Sequence, residues 1–163
     1  MTGLKQVVGV GSGGDVDGPA LDSLTLDHAA RHVRRKAFTC DGGTRIALDL
    51  PDAVQLRDGD LLALDDGGTI LVRAAPERLI EIATADPARL AILAWHIGNR
   101  HAPAQVEAGR ILIAHDAVLG RMLESMGAAV REVSEPFEPE RGAYHSHGHS
   151  HSGGHSHDHP HGA

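Results

Sequence analysis

Leu79-Ile-Glu-Ile82 is followed, after a short gap, by Asp86-Pro-Ala-Arg-Leu-Ala-Ile-Leu-Ala-Trp-His-Ile97. Within these residues the apolar spacing changes from that of a strand to that of a helix. Asp86 suits a helix N-cap and Pro87 the first helical position, where its missing N–H costs nothing. Leu90, Leu93, Ala94 and Ile97 then recur as one buried stripe. Downstream, Gln105-Val-Glu107 and Arg110-Ile-Leu-Ile113 read as two strands joined at Ala108-Gly109. A second helix carries Val118, Leu119, Met122, Leu123 and Met126 on one face, with Gly127 as its stop. Val130 to Val133 closes with a strand. The order is βαββαβ, so residues 77–139 are expected to form a ferredoxin-like domain, with two helices on one face of an antiparallel sheet.

Upstream, residues 21–75 have a different texture. Ile46, Leu48 and Leu50 alternate with Ala47 and Asp49, the period of a half-buried strand. Asp41-Gly-Gly43, Arg57-Asp-Gly-Asp60 and Asp65-Asp-Gly-Gly68 supply turns. Leu61–Leu64 and Thr69–Val72 lie between and after them. This segment predicts a small all-β domain, and the whole chain an α+β protein. Residues 1–20 include Val7-Val-Gly-Val-Gly-Ser-Gly-Gly14, which is neither a Walker loop nor a dinucleotide fingerprint, because acidic, helix-breaking Asp15-Val-Asp-Gly-Pro19 follows it. A flexible arm is expected there.

Composition narrows the function classes. The formal charge of −7 across 163 residues leaves no basic face for nucleic acid. A basic cluster at Arg31, Arg34, Arg35 and Lys36 is diluted by Asp27 and Asp41, and reads first as a solvated strand face and second as a patch for an acidic partner. Cys40 is the one cysteine, so an intrachain disulfide and a multi-thiolate zinc site from a single chain are both excluded. No apolar run reaches membrane-spanning length and no signal sequence opens the chain, so a cytoplasmic location is expected.

The last nineteen residues contain eight histidines: His145, His147, His149, His151, His155, His157, His159 and His161. Neutral imidazole is the commonest protein ligand for borderline divalent metals. Small and polar residues separate these rings, so residues 140–163 are expected to stay disordered and to gather metal. A linker of ten to twenty residues spans roughly 18–25 Å, which keeps such a tail within reach of the folded domains.

Five histidines precede the tail. His28, His32, His101 and His115 read as surface or capping residues. His96 differs, because Ile92, Trp95 and His96 lie on the opposite and flanking sides of the helix from its buried stripe. A helix apolar on two sides is buried on two sides, and in so small a domain a second copy of the chain is the readiest cover. Two His96 rings near a two-fold axis would make half of a metal site, with tail histidines supplying the rest.

Several segments together resemble the UreE family of urease accessory proteins. They are Trp95-His-Ile-Gly-Asn-Arg-His-Ala-Pro-Ala-Gln105, His115-Asp116 with Val118-Leu119, Pro136-Phe-Glu-Pro-Glu140, and Gly142-Ala-Tyr-His145 with the His-rich run beyond. The Leu56-Arg-Asp-Gly-Asp-Leu61 turn and Ala74-Ala-Pro-Glu77 are similar to the family's N-terminal domain. The resemblance implies a nickel metallochaperone without catalysis of its own, delivering Ni(II) for urease active-site assembly. It implies His96 as central ligand and the tail histidines as a variable metal-gathering extension, with Zn(II) or Cu(II) able to take the same sites. It further implies a homodimer that works with the urease accessory GTPase UreG and, through it, the urease apoprotein complex. Members with a His-x-His pair before the second helix have an extra surface site; Arg110-Ile-Leu-Ile113 lacks it. The competing readings are a general Ni/Cu/Zn buffer and a metal hydrolase. The second is disfavoured because the folded region offers no compact set of His and carboxylates.

Overall fold

The computed structural model describes residues 3–12 and 19–141. Seven strands open the chain: β1 (Lys5–Gly11), β2 (Asp22–Leu26), β3 (His32–Thr39), β4 (Arg45–Gln55), β5 (Leu61–Leu64), β6 (Thr69–Ala74) and β7 (Pro76–Ala83). Then come α1 (Pro87–Gly98), β8 (Ala104–Glu107), β9 (Arg110–Ala114), α2 (Ala117–Ser125) and β10 (Ala129–Pro136).

The first six strands form one sheet in the order β2-β6-β5-β1-β4-β3. Its core is aliphatic: Val7, Leu24, Val33, Ile46, Leu48, Leu56, Leu62, Leu64, Ile70 and Val72 are all buried. The three expected turns each place a glycine at positive φ, at Gly43, Gly59 and Gly67. The flexible arm expected over residues 1–20 is corrected between Lys5 and Gly11. That segment is an inner strand, parallel to β4 and antiparallel to β5, and a register shift between Val7 and Gly9 accommodates Val8. Val7 is buried in the core, and its hydrogen-bonding partners lie some forty and more residues along the chain.

The second unit has strand order β10-β7-β9-β8, every neighbouring pair antiparallel. Numbered within the unit this is 4-1-3-2, the split-βαβ arrangement. Ile80, Ile82, Ile111 and Ile113 point to one face and pack against Leu93 and Ile97 of α1 and Leu119 and Leu123 of α2. Both helices start as their sequences dictate. Asp86 accepts from the Ala88 amide ahead of Pro87, and Asp116 accepts from the amides of Val118 and Leu119.

The stripe on α2 is narrower than its sequence suggests, because Val118 is 70% exposed. Gly120 is buried, and a Cβ there would meet Ile80 Cδ1 at 3.2 Å. The helix therefore approaches the sheet on its Gly120 side, which lies about 160° around from Val118. The missing side chain sets the contact, and Val118 is turned out.

A second correction concerns Arg31. Instead of lying on a solvated strand face, it is fully buried, while Arg34, Arg35 and Lys36 of the same cluster are exposed. Its guanidinium crosses to the second unit, donating to the Leu56 and Phe137 carbonyls and pairing with Glu138. Phe137 packs on Leu79 and Leu112, and His28 meets its ring edge-on at 5.5 Å between centroids. Burial and the nearby Arg31 charge hold the His28 ring below its ordinary pKa. Glu140 and Arg141, expected to start the free tail, are also held, through Glu140 N to Ala104 O (2.8 Å) and Arg141 to Gln55 O (3.1 Å).

Candidate metal centre

α1 sorts its residues by angle. Leu93 and Ile97 are fully buried, with Leu90 and Ala94 packed beside them. Relative to Leu93, Ile92 lies about 100° back and Trp95 about 160° back around the axis. Both face out, 54% and 63% exposed. His96 lies about 60° back, on the border between the two sectors, and is half-buried accordingly. Its ring stands edge-to-face with Trp95 at 4.9 Å between centroids.

His96 is also in the last turn of α1, where unpaired carbonyls carry the negative end of the helix dipole. A cation held by its imidazole is favoured there. The His96 carbonyl accepts from Arg100 Nη1 at 3.0 Å. The helix then stops: Asn99 caps it, and Arg100 and His101 donate their amides to Ile97 and Gly98 in tight turns. His101 is exposed and has φ +55°. It is therefore not the continuation of a helical face.

The remaining histidines of the described residues have other work. His115 Nε2 lies 2.9 Å from Glu132, which Arg78 grips through two nitrogens. The hydrogen bonds from Arg78 and His115 keep the Glu132 carboxyl below its ordinary range. His28 packs on Phe137, and His32 starts β3 as an exposed residue. Among the described residues, no three His, Cys, Asp or Glu side chains gather to hold a metal ion. Cys40 is buried, and burial with the Asp22 and Asp41 charges pushes its thiol up to about 11, which suits a core residue rather than a thiolate ligand. His145, His147, His149, His151, His155, His157, His159 and His161 lie outside the described residues.

The site thus consists of one histidine at the rim of an apolar stripe, on a two-helix α+β domain joined to an all-β domain. The profile for the UreE urease accessory protein N-terminal domain matches residues 4–75, and that for the UreE C-terminal domain matches residues 77–161. The chain belongs to the UreE family. Among its relatives, the urease accessory protein UreE of Rhizobium meliloti is 55% identical over 128 residues, 78% of this chain and 83% of that protein. UreE of Azorhizobium caulinodans is 53% identical over 133 residues, covering 78% of this chain and 64% of the relative. UreE of Sinorhizobium fredii is 52% identical over 137 residues, covering 84% and 86%. As a UreE-family chain it is a urease accessory protein, and no helix among its described residues is long and apolar enough to cross a membrane.

Arg31 was not legible as a functional candidate. A charged residue beside three other basic ones reads as surface, and nothing local marks the acceptors over a hundred residues away.

Proposed function

We propose that this UreE-family chain is a nickel metallochaperone without catalysis of its own, which carries Ni(II) as cargo to the urease active site during assembly. The observation that carries the reading is the position of His96 beside an uncovered Ile92–Trp95 stripe, in the final turn of a helix. A single imidazole does not hold a divalent ion tightly. A second copy packed on that stripe would bring a second His96 to the same place, and the tail histidines would complete the coordination. Zn(II) or Cu(II) would take the same ligands.

Ligand strength alone does not select nickel, since affinity for nitrogen ligands rises from Co through Ni to Cu. Selection falls to geometry, metal supply and docking with the partner GTPase UreG, which passes metal on to the urease apoprotein. A His-rich tail suits transfer because its ligands exchange one at a time. A cytoplasmic location, where urease is assembled, suits this role.

The test is nickel calorimetry on the full chain, on His96→Ala and on a chain ending at Tyr144, combined with urease activation in cells. His96→Ala is expected to lose the tightest ion and activation while keeping the weaker ions. Ending the chain at Tyr144 is expected to remove most of the bound ions and leave the fold intact. If His96→Ala keeps both the tightest ion and full activation, the protein is a metal buffer whose tail does all the binding.

A further inference from the structure

The six-stranded sheet ends in β2 on one side and β3 on the other, and only one of these edges is left open. Along the free side of β2, the Ser23 carbonyl accepts from the Asp41 amide at 2.8 Å, and the Thr25 amide donates to the Asp41 carboxylate at 3.3 Å. The same carboxylate accepts from Ser23 Oγ and Thr25 Oγ1, each at 2.7 Å. β3 pairs with β4 on one side, and among the described residues no strand pairs with the other.

A free edge is a row of unpaired backbone groups, a template for another strand. β3 runs for eight residues without proline or glycine. Its register shift falls between Val33 and Arg35, so from Arg35 to Thr39 the ladder against Asp49 to Arg45 is unbroken. Arg34, Arg35, Lys36 and Ala37 are all exposed. The second domain reaches this sheet near the start of the strand, at His28, Arg31 and Gln55, the last paired with His32.

The side chains decide what can pair there. Arg35 is matched within the sheet by Asp49 at 2.5 Å. Arg34, Lys36 and Arg45, the last opposite Thr39 on β4, have no ion-pair partner among the described residues. The Lys36 ammonium lies 5.1 Å from the centre of the Phe38 ring. The carboxylates of β4 do not neutralise these cations: Asp49 is taken by Arg35, and Asp52 pairs with none of them. In a chain of formal charge −7, this is a local excess of the opposite sign. A second copy is the wrong occupant, because β3 paired antiparallel with itself about its middle sets basic residues against basic residues, which destabilises a strand pair.

We propose that the free edge of β3, from Arg34 to Thr39, binds an extended acidic segment of a partner protein by strand addition. Backbone hydrogen bonds along the edge hold the segment, and side chains at its alternate positions choose it. Acidic groups there meet Arg34 and Lys36, and Arg45 adds to the positive field that draws them in. The surface belongs to the first domain, whereas His96 is on α1 of the second, so binding here needs no metal.

The probe is a short labelled peptide, blocked at both ends, that alternates glutamate and threonine. One companion carries lysine in place of glutamate, and another is N-methylated at its central backbone amides. Fluorescence anisotropy is read on the full chain with a chelator present at about pH 8, where the tail histidines are neutral and metal-free. The glutamate peptide is expected to bind the wild type, to weaken as salt is added, and to slow hydrogen exchange of β3 amides. Arg34→Glu combined with Lys36→Glu is expected to weaken it about tenfold and to favour the lysine peptide instead. Both positions are exposed, and gain of lysine-peptide binding shows that the variant is folded. The N-methylated peptide is expected not to bind. Equal binding of the glutamate and lysine peptides to the wild type overturns the charge selection. Undiminished binding of the N-methylated peptide overturns strand addition. If no peptide binds, the charges only guard a bare edge and the acidic partner is overturned. Self-association of the wild type that the double variant abolishes makes a second copy the occupant instead.

Discussion

The far face of the four-stranded sheet and the outer face of α1 are both left bare by the domain's own helices, and they are finished differently. On the sheet, Glu81 accepts from Arg131 and Arg110, and Arg110 reaches on to Glu107 and Glu135. Nearer the other domain, Leu79, Leu112 and Phe137 close the face with apolar contact. On α1, Ile92 and Trp95 stand exposed one turn apart with no such finish. A paired charge network is a surface completed toward water. Two large apolar side chains on one helical stripe, beside a half-buried histidine, are a surface left open in the single chain, where the proposed second copy would pack.

The strongest way to break this contrast is to charge the α1 face. Ile92→Asp with Trp95→Asp is expected to leave the fold intact, since neither side chain is in the core, and to weaken self-association about a hundredfold or more. Sedimentation equilibrium measures it. A wild-type chain that stays monomeric at high concentration removes the second copy as the cover for this face.

Adjacent positions on the same helix sharpen the contrast. Leu93→Ala empties a fully buried site and is expected to cost about 2–5 kcal/mol. Ile92→Ala, made in the charged monomeric background at Trp95, is expected to stay within about 0.5 kcal/mol. Urea unfolding of the two variants checks the difference. Similar costs at both positions would mean that Ile92 packs within its own chain.

The charged face is probed with acid. Hydrogen bonds from Arg131 and Arg110 hold Glu81 at about 2, below the ordinary 4.5. A depressed carboxylate stabilises the fold fully above its unfolded value, and that stabilisation is lost as pH falls through the folded value. The melting temperature of the wild type is therefore expected to drop between about pH 4.5 and 2 more steeply than that of Glu81→Gln. Parallel curves would show that the arginines do not stabilise the ionised carboxylate.

The second domain was largely readable because its signals are local. Asp86-Pro87 marks a helix start, Gly109 and Gly127 mark turns, and the stripe of α1 follows from 100° per residue. Where reading failed, the deciding contact lay far away in sequence. Val7-Val-Gly-Val-Gly11 looks like a loose arm because glycine disfavours a strand, yet β4 and β5 pair it into the sheet. Arg31 looks solvated because two of the three groups that make its burial tolerable, the Phe137 carbonyl and the Glu138 carboxylate, lie over a hundred residues away. Val118 looks buried because the stripe cannot show that Gly120 lets the helix roll toward Ile80. For the candidate site, the position of His96 at the edge of the α1 stripe follows from angle, and His101 is exposed just past the helix end, in keeping with its reading as a surface or capping residue.

His101 supplies the smallest effect and fixes the edge of the candidate site. It follows the two tight turns after Gly98 and holds φ +55°, the left-handed region that costs an L-residue about 1 kcal/mol and costs glycine nothing. Against that gain, glycine adds freedom to the unfolded chain, which offsets part of it. His101→Gly is therefore expected to stabilise the fold by a few tenths of a kcal/mol, read as a small rise in melting temperature. Because the helix ends before it, the same variant is expected to keep the tightest nickel ion in calorimetry. If instead the fold gains stability while that ion is lost, the strained histidine is itself a ligand, and the site extends from the last turn of α1 into the connection to β8.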